Sequence, residues 1–187
     1  MKSPILQQIL FLKVKNLDKE AYGQFYDLYA PRIYRFVFFK VNSVGEAQDL
    51  TSEVFLKLWQ ALKEGKEIDN LNSFIYTMAR NAVIDHYRAR ANRRLESLDE
   101  PEILEEADSI IDDRRDLLQE QMSDFQLKEV LTNLDKLKDE YKEVIVLKFL
   151  DELSIGEIAE VLNKSNGSVR VLLHRALNAL RNNINGQ

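Results

Sequence analysis

The chain has 187 residues, 26 basic and 31 acidic side chains, a formal net charge of -5, and 45% hydrophobic residues. It has no cysteine, which excludes a disulfide-stapled module and any thiolate metal site. No apolar run approaches the roughly eighteen residues of a membrane span, so no membrane insertion is expected.

The opening stretch, Met1 to Val14, is rich in apolar residues, with Gln7, Gln8 and Lys13 among them. No small-residue cleavage site follows, so a signal peptide is not expected and the cytoplasm is the expected location. Asp18 is placed to cap a helix to about Tyr29. Pro31 suits the first turn of a separate helix to about Val41. Ser43 is placed to cap a third helix, to about Leu62. Lys63 to Asn72 (KEGKEIDNLN) reads as a polar loop. Asn72 or Ser73 then starts a helix to about Leu95. Ser97 to Asp113 is acidic, contains Pro101 and has weak periodicity, the signature of a flexible tether. Leu117 to Leu134 and Lys138 to Phe149 read as two more helices. The expected class is all-α: two small helical domains, residues 1–95 and 117–187, joined by an acidic flexible linker, residues 96–116.

The sharpest local signal is Ser154 to Leu180. Ser154 and Glu157 have the spacing of a capping box. Ile158, Ala159 and Leu162 form an apolar stripe, and Asn163, Lys164 and Ser165 make a short polar turn. Ser165 can cap a second helix, whose apolar positions are Val169, Leu172 or Leu173, Ala176, Leu177 and Leu180. A short helix, a tight turn and a longer basic helix make a helix-turn-helix, which reads DNA with the start of its second helix in the major groove. Asn166, Ser168, Arg170, Val171 and His174 are the outward candidates, and Arg175 suits a phosphate. An ordinary helical hairpin would show the same apolar pattern.

Charge is unevenly distributed. Arg80 to Arg94 holds five arginines and one acid, Asp85. Glu96 to Asp116 holds ten acids and two arginines. Asn163 to Gln187 holds Lys164, Arg170, Arg175 and Arg181 and no acid. Two basic stretches flanking an acidic one point to nucleic acid more than the overall charge does. Over Phe74 to Arg94, which contains the first stretch, Phe74, Tyr76, His86 and Tyr87 lie among Arg80, Asn81, Arg88 and Arg90. Aromatics between arginines suit single-stranded or melted DNA. Core packing of Phe74, Tyr76 and Tyr87, with an Asp85–Arg88 pair, would explain the same residues structurally.

Three segments, in order, resemble the extracytoplasmic-function (ECF) group of RNA polymerase sigma factors, within the housekeeping-type sigma family. EAQDLTSEVFLKLW (Glu46 to Trp59) is similar to the family segment that docks on the β′ clamp helices of core polymerase. FIYTMARNAVIDHYR (Phe74 to Arg88) is similar to the helix facing the −10 promoter element. Leu134 to Arg181 is similar to the domain that reads the −35 element. The resemblance implies core RNA polymerase (β′ clamp helices and β flap), promoter DNA and an anti-sigma factor as partners. It implies polymerase docking through Asp49, Ser52, Glu53 and Lys57. On the −10 side it implies DNA contacts from Asn70, Asn72, Arg80, Asn81 and Arg88, with the Glu64–Asn72 loop holding a flipped base. On the −35 side it implies Asn166, Ser168, Arg170, His174 and Arg175. Three departures stand out: Lys138 replaces the usual proline, Phe74 the usual tryptophan, and Val171 with Leu172 a frequent serine and arginine.

The docking assignment also has a physical basis. Leu50, Val54, Leu58 and Leu62 share one helical face, which leaves acids outside that would repel DNA and suit a protein. Phe55 and Trp59 are expected mainly to pack the core. The competing function is a helix-turn-helix regulator acting without being a polymerase subunit. No catalytic residues, metal or cofactor are expected: there are two histidines, in separate predicted domains, no H-E-x-x-H and no glycine-rich phosphate loop.

Overall fold

The computed structural model describes residues 4–96, 133–134 and 136–185. The acidic tether at 97–116 and most of the helix expected at Leu117 to Leu134 lie outside the described residues. The chain divides into two compact units, one drawn from Met1–Val41 and Gly45–Arg90, the other from Ala91–Gln187 with the short Asn42–Val44. Every regular element among the described residues is helical.

The first unit begins with α1, Pro4–Lys15, in a stretch for which no helix is expected from periodicity. Val14 is buried and Leu10 and Phe11 are half-buried, while Ile5, Leu6, Ile9 and Leu12 are exposed on the other side. A helix apolar on both sides shows no 3.6-residue contrast, so its sequence carries no helical signal. Phe11 packs on Phe25 and Tyr29, each with ring centroids 5.9 Å away. Leu17 takes the left-handed conformation at the turn (φ 63), and Asp18 caps the next helix by accepting from the Ala21 N–H at 3.0 Å.

That helix, α2, runs unbroken over Lys19–Val41 with Pro31 inside it. The break expected at Pro31 is absent. The reason is the buried row Phe25, Tyr29, Ile33 and Val37, which keeps four-residue spacing across the proline. Pro31 itself is exposed, so its ring projects to solvent. Burial of that row outweighs one missing backbone hydrogen bond. Tyr29 stacks on Phe25 at 4.4 Å.

Helix α3, Val44–Lys63, buries Leu50, Val54, Leu58 and Leu62 as expected, together with Phe55. It ends in a Schellman-type turn: Lys66 N–H reaches the Ala61 carbonyl at 3.0 Å, with Gly65 at φ 76, where any side chain would be strained. The following loop buries Ile68. Helix α4 covers Leu71–Glu96. Its cap is Asn70, two or three residues earlier than the expected Asn72 or Ser73. The Asn70 Oδ1 accepts from the N–H groups of Asn72 (2.9 Å) and Ser73 (3.2 Å). Ile75, Tyr76, Ala79, Ala82 and Val83 form its core row.

The second unit contains α5, Asp139–Ile145, which widens into a π-helical turn at Val146–Leu150. The single helix expected from Lys138 to Phe149 is thus two geometries. The wider turn keeps both Val146 and Leu147 buried while Phe149 is 51% exposed. It closes on the Asp151 N–H to Val146 carbonyl bond, 3.0 Å. Helices α6, Ile155–Leu162, and α7, Asn166–Asn185, follow. Helix α7 packs on both α5 and α6.

Candidate nucleic-acid interface and partner surface

The α6–α7 pair is a helix-turn-helix built from local signals. Ser154 Oγ accepts from the Glu157 N–H at 3.2 Å, and the Glu157 carboxylate accepts from the Ser154 N–H at 2.8 Å. The box satisfies two N–H groups that the helix start leaves open. Asn163 ends α6 in the left-handed conformation (φ 51, ψ 51), a geometry asparagine tolerates better than most residues. Ser165 Oγ then accepts from the Ser168 N–H at 3.2 Å and starts α7.

On α7 the buried row is Val169, Leu172 and Ala176. Leu173 and Leu180 are half-buried. Leu177, expected inward, is 38% exposed, because it lies nearly a third of a turn off that row. Asn166, Ser168, Arg170, His174 and Arg175 are all exposed on this helix. Ser168 is partly committed, its hydroxyl 2.9 Å from that of Ser165. Asn178 Nδ2 lies 3.3 Å from His174 Nδ1, which orients the ring on the exposed face. Leu172, at one of the two positions departing from the family pattern, is buried, and Val171, at the other, is 51% exposed.

The residues assigned to the −10 side do not form one cluster. Asn72 is buried at 7% exposure, and the Asn70 amide oxygen caps α4. In this conformation one amide oxygen is held by the helix start and the other side chain lies inside the unit. Arg80 is half-buried, while Asn81 and Arg88 are exposed. Asn81, Asp85 and Arg88 fall in one row at helical spacing. Arg88 Nη1 is 3.4 Å from Asp85 Oδ1, an exposed pair of little energetic weight. Of the aromatics, Tyr76 is core. Tyr87 is 44% exposed and donates to the Lys40 carbonyl at 2.7 Å. Lys66 sits 5.1 Å over the Phe74 ring.

A triangle that the sequence pattern does not reveal joins α3 to α4. Glu46 places Oε2 3.4 Å from His86 Nε2 and Oε1 3.8 Å from Arg90 Nη1. It occupies one arginine of the basic stretch and fixes the first turn of α3 against α4. The signal is undetectable in sequence because the partners are forty residues apart.

Asp49, Ser52, Glu53 and Lys57 lie exposed on α3. Glu53 pairs with Lys57 one turn on, and Ser52 donates to the Gln48 carbonyl at 3.0 Å. Ser52 also borders an open groove of about 380 Å³ lined by Tyr22, Tyr26, Phe55, Leu56 and Trp59. Phe55 is core, as expected, whereas Trp59 is only half-buried, its ring 4.6 Å from that of Tyr22. Leu56 is 71% exposed beside it. The Tyr22 hydroxyl donates to the Phe55 carbonyl at 2.5 Å. Burial pushes this phenol up to about 12, with the Trp59 backbone opposing and Tyr26 adding to the shift.

Two family models match the chain, one in each unit. Residues 25–93 match the model for sigma-70 region 2, and residues 127–180 match the model for sigma-70 region 4. The chain belongs to the sigma-70 family of RNA polymerase sigma factors. Among its relatives in this family, the ECF RNA polymerase sigma factor BldN of Streptomyces coelicolor is 30% identical over 167 residues, covering 87% of this chain and 60% of BldN. The ECF RNA polymerase sigma factor SigW of Bacillus subtilis is 28% identical over 180 residues, covering 90% of this chain and 91% of SigW. Both relatives carry the ECF designation, so the housekeeping-type label does not extend to this sigma-70 member. The fold is similar to that of RpoE, solved with the anti-sigma factor NepR from Bartonella quintana. That likeness has a TM-score of 0.66, 20% identity, and covers 88% of this chain and 96% of the other. No helix among the described residues of this sigma-70 protein is long and apolar enough to cross a membrane.

Proposed function

We propose that this sigma-70 family member is an ECF-group sigma subunit that joins core RNA polymerase in the cytoplasm and directs promoter-specific initiation, without catalysis of its own. The observation that carries the reading is the pairing of two family segments in order, the second ending in a helix-turn-helix whose DNA-facing helix bears arginines and no acid. A helix-turn-helix regulator independent of polymerase has no need of the first segment.

In this reading residues 1–95 dock on polymerase and meet the −10 element. Residues 96–116 are the tether, and residues 117–187 read the −35 element and meet the β flap. The α3 face of Asp49, Ser52, Glu53 and Lys57 meets the β′ clamp helices. Arg80, Asn81 and Arg88 lie along the melted strand. Asn70 and Asn72 enter the site only if the start of α4 rearranges on DNA. The outward residues of α7, Arg170 and Arg175 foremost, hold the upstream duplex. An anti-sigma factor is the expected regulator.

The test is transcription in a purified system. Core polymerase with the full chain should initiate at a discrete set of promoters selected from a random library, and core alone should not. Sequence-specific DNA binding by the free chain, with no initiation alongside core, would establish the regulator instead.

A further inference from the structure

On α7 the rows can be placed by their spacing. Gly167, Val171, His174 and Asn178 follow one another at four, three and four residues, opposite the buried row of Val169, Leu172 and Ala176. All four are exposed. Arg170 lies to one side of this outward row and Arg175 to the other. A helix that enters the major groove with an arginine toward each wall sets its outermost row against the base edges. In that row Val171 is the only apolar side chain, and it is 51% exposed. One turn before it, Gly167 has no side chain, and a Cβ built there would meet only Ser165 Oγ, at 3.9 Å. The start of the helix can therefore approach the groove floor closely enough for a short side chain to touch it.

A valine has no donor or acceptor to offer a base. The one apolar feature on the floor of the major groove is the C5-methyl group of thymine. From this geometry we infer that Val171 is a specificity-determining residue, which selects a thymine in the upstream promoter element by packing on its methyl group. The inference rests on the sigma reading above and adds to it a base identity and a residue.

The experiment uses holoenzyme made from core polymerase and the full chain, and an upstream element selected by that holoenzyme from a random library. Each thymine of the selected element is replaced in turn by deoxyuridine, which removes the methyl group and nothing else. At one position the replacement should weaken wild-type binding about fourfold, the worth of one buried methyl-sized group. Val171→Ala, an exposed position unlinked to the core, should weaken binding to the thymine element by a similar factor. In that variant deoxyuridine should cause no further loss, so the two changes couple fully. A selected element with no methyl-sensitive thymine, or equal methyl sensitivity in wild type and Val171→Ala, overturns the inference. Arg175→Ala separates that failure from failure of the underlying reading. If it weakens binding while the methyl effect is absent, α7 lies on DNA and the thymine contact alone is wrong. If it leaves binding unchanged, the placement of α7 is wrong and the thymine contact falls with it.

Discussion

At the scale of single residues, two side chains have energetics that follow from their surroundings. Tyr22 is held neutral by burial, with its phenol near 12 rather than the usual 10. A raised folded-state value means its contribution is intact below about pH 10. It is then lost as the unfolded chain ionises first, up to the folded value near 12. At pH 7, Tyr22→Phe should cost about 1 kcal/mol, the net worth of the hydrogen bond to the Phe55 carbonyl. Urea melts at stepped pH should show that gap narrowing between pH 10 and 12, and a constant gap would contradict the assignment. Lys138 is the second. It stands where the family usually has proline, and its backbone, at φ −60 and ψ 146, is already the proline conformation. Its carbonyl accepts the first bonds of α5, from Tyr141 and Lys142, so nothing there requires a lysine side chain. Lys138→Pro should stabilise the second unit by roughly 0.4–1 kcal/mol through the unfolded state, measured by denaturant unfolding. The departure from the family at this position is therefore one of composition and not of shape.

At the scale of elements, legibility in the sequence tracks how local the deciding interaction is. The capping box of α6, the Ser165 cap and the buried row of α3 depend on residues within a few positions, and reading them in sequence succeeds. Three features depend on packing, and there sequence reading fails. The continuity of α2 through Pro31 comes from its buried row of Phe25, Tyr29, Ile33 and Val37. Helix α1 hides because both its faces are apolar. The π turn after α5 lies in a run buried from Glu143 to Leu147, which shows no helical contrast in sequence. In the site, the exposed face of α7 is legible from its charge and periodicity. The cap made by Asn70 and the burial of Asn72 are not, since the loop's composition reads only as polar. The α2 account has a direct check. Pro31→Ala restores a backbone donor on an exposed face and removes the ring's clash with the carbonyl four residues back. It should stabilise the first unit by up to about 3 kcal/mol, with helical content by circular dichroism unchanged or slightly higher. Destabilisation would mean that the proline is required for the path of α2.

At the scale of the whole molecule, charge separates two kinds of surface. The chain is net acidic at -5, yet its last 25 residues carry four bases and no acid. The α3 face shows Asp49 and Glu53 to solvent. Acidic groups repel DNA and basic groups attract it, so in the proposed reading the α3 face would meet polymerase and the α7 face the promoter. Changing each face should therefore damage a different step. Asp49→Lys with Glu53→Lys reverses two exposed charges. Each position should tolerate the change within about 0.5 kcal/mol, and lysine opposite Lys57 adds a few tenths through like-charge repulsion. Thermal melts should stay near wild type while association with core polymerase falls, and transcription should fall with it at every salt concentration. Arg175→Ala should do the reverse. Core association should be normal, and holoenzyme binding to promoter should weaken for all sequences. The slope of log affinity against log salt should shrink by about 0.9, one phosphate contact. A pull-down in which the double reversal binds core normally would remove the α3 face from the polymerase interface. An unchanged salt slope for Arg175→Ala would remove that arginine from the DNA backbone. Because the two readouts are independent, a fault in one assignment leaves the other standing.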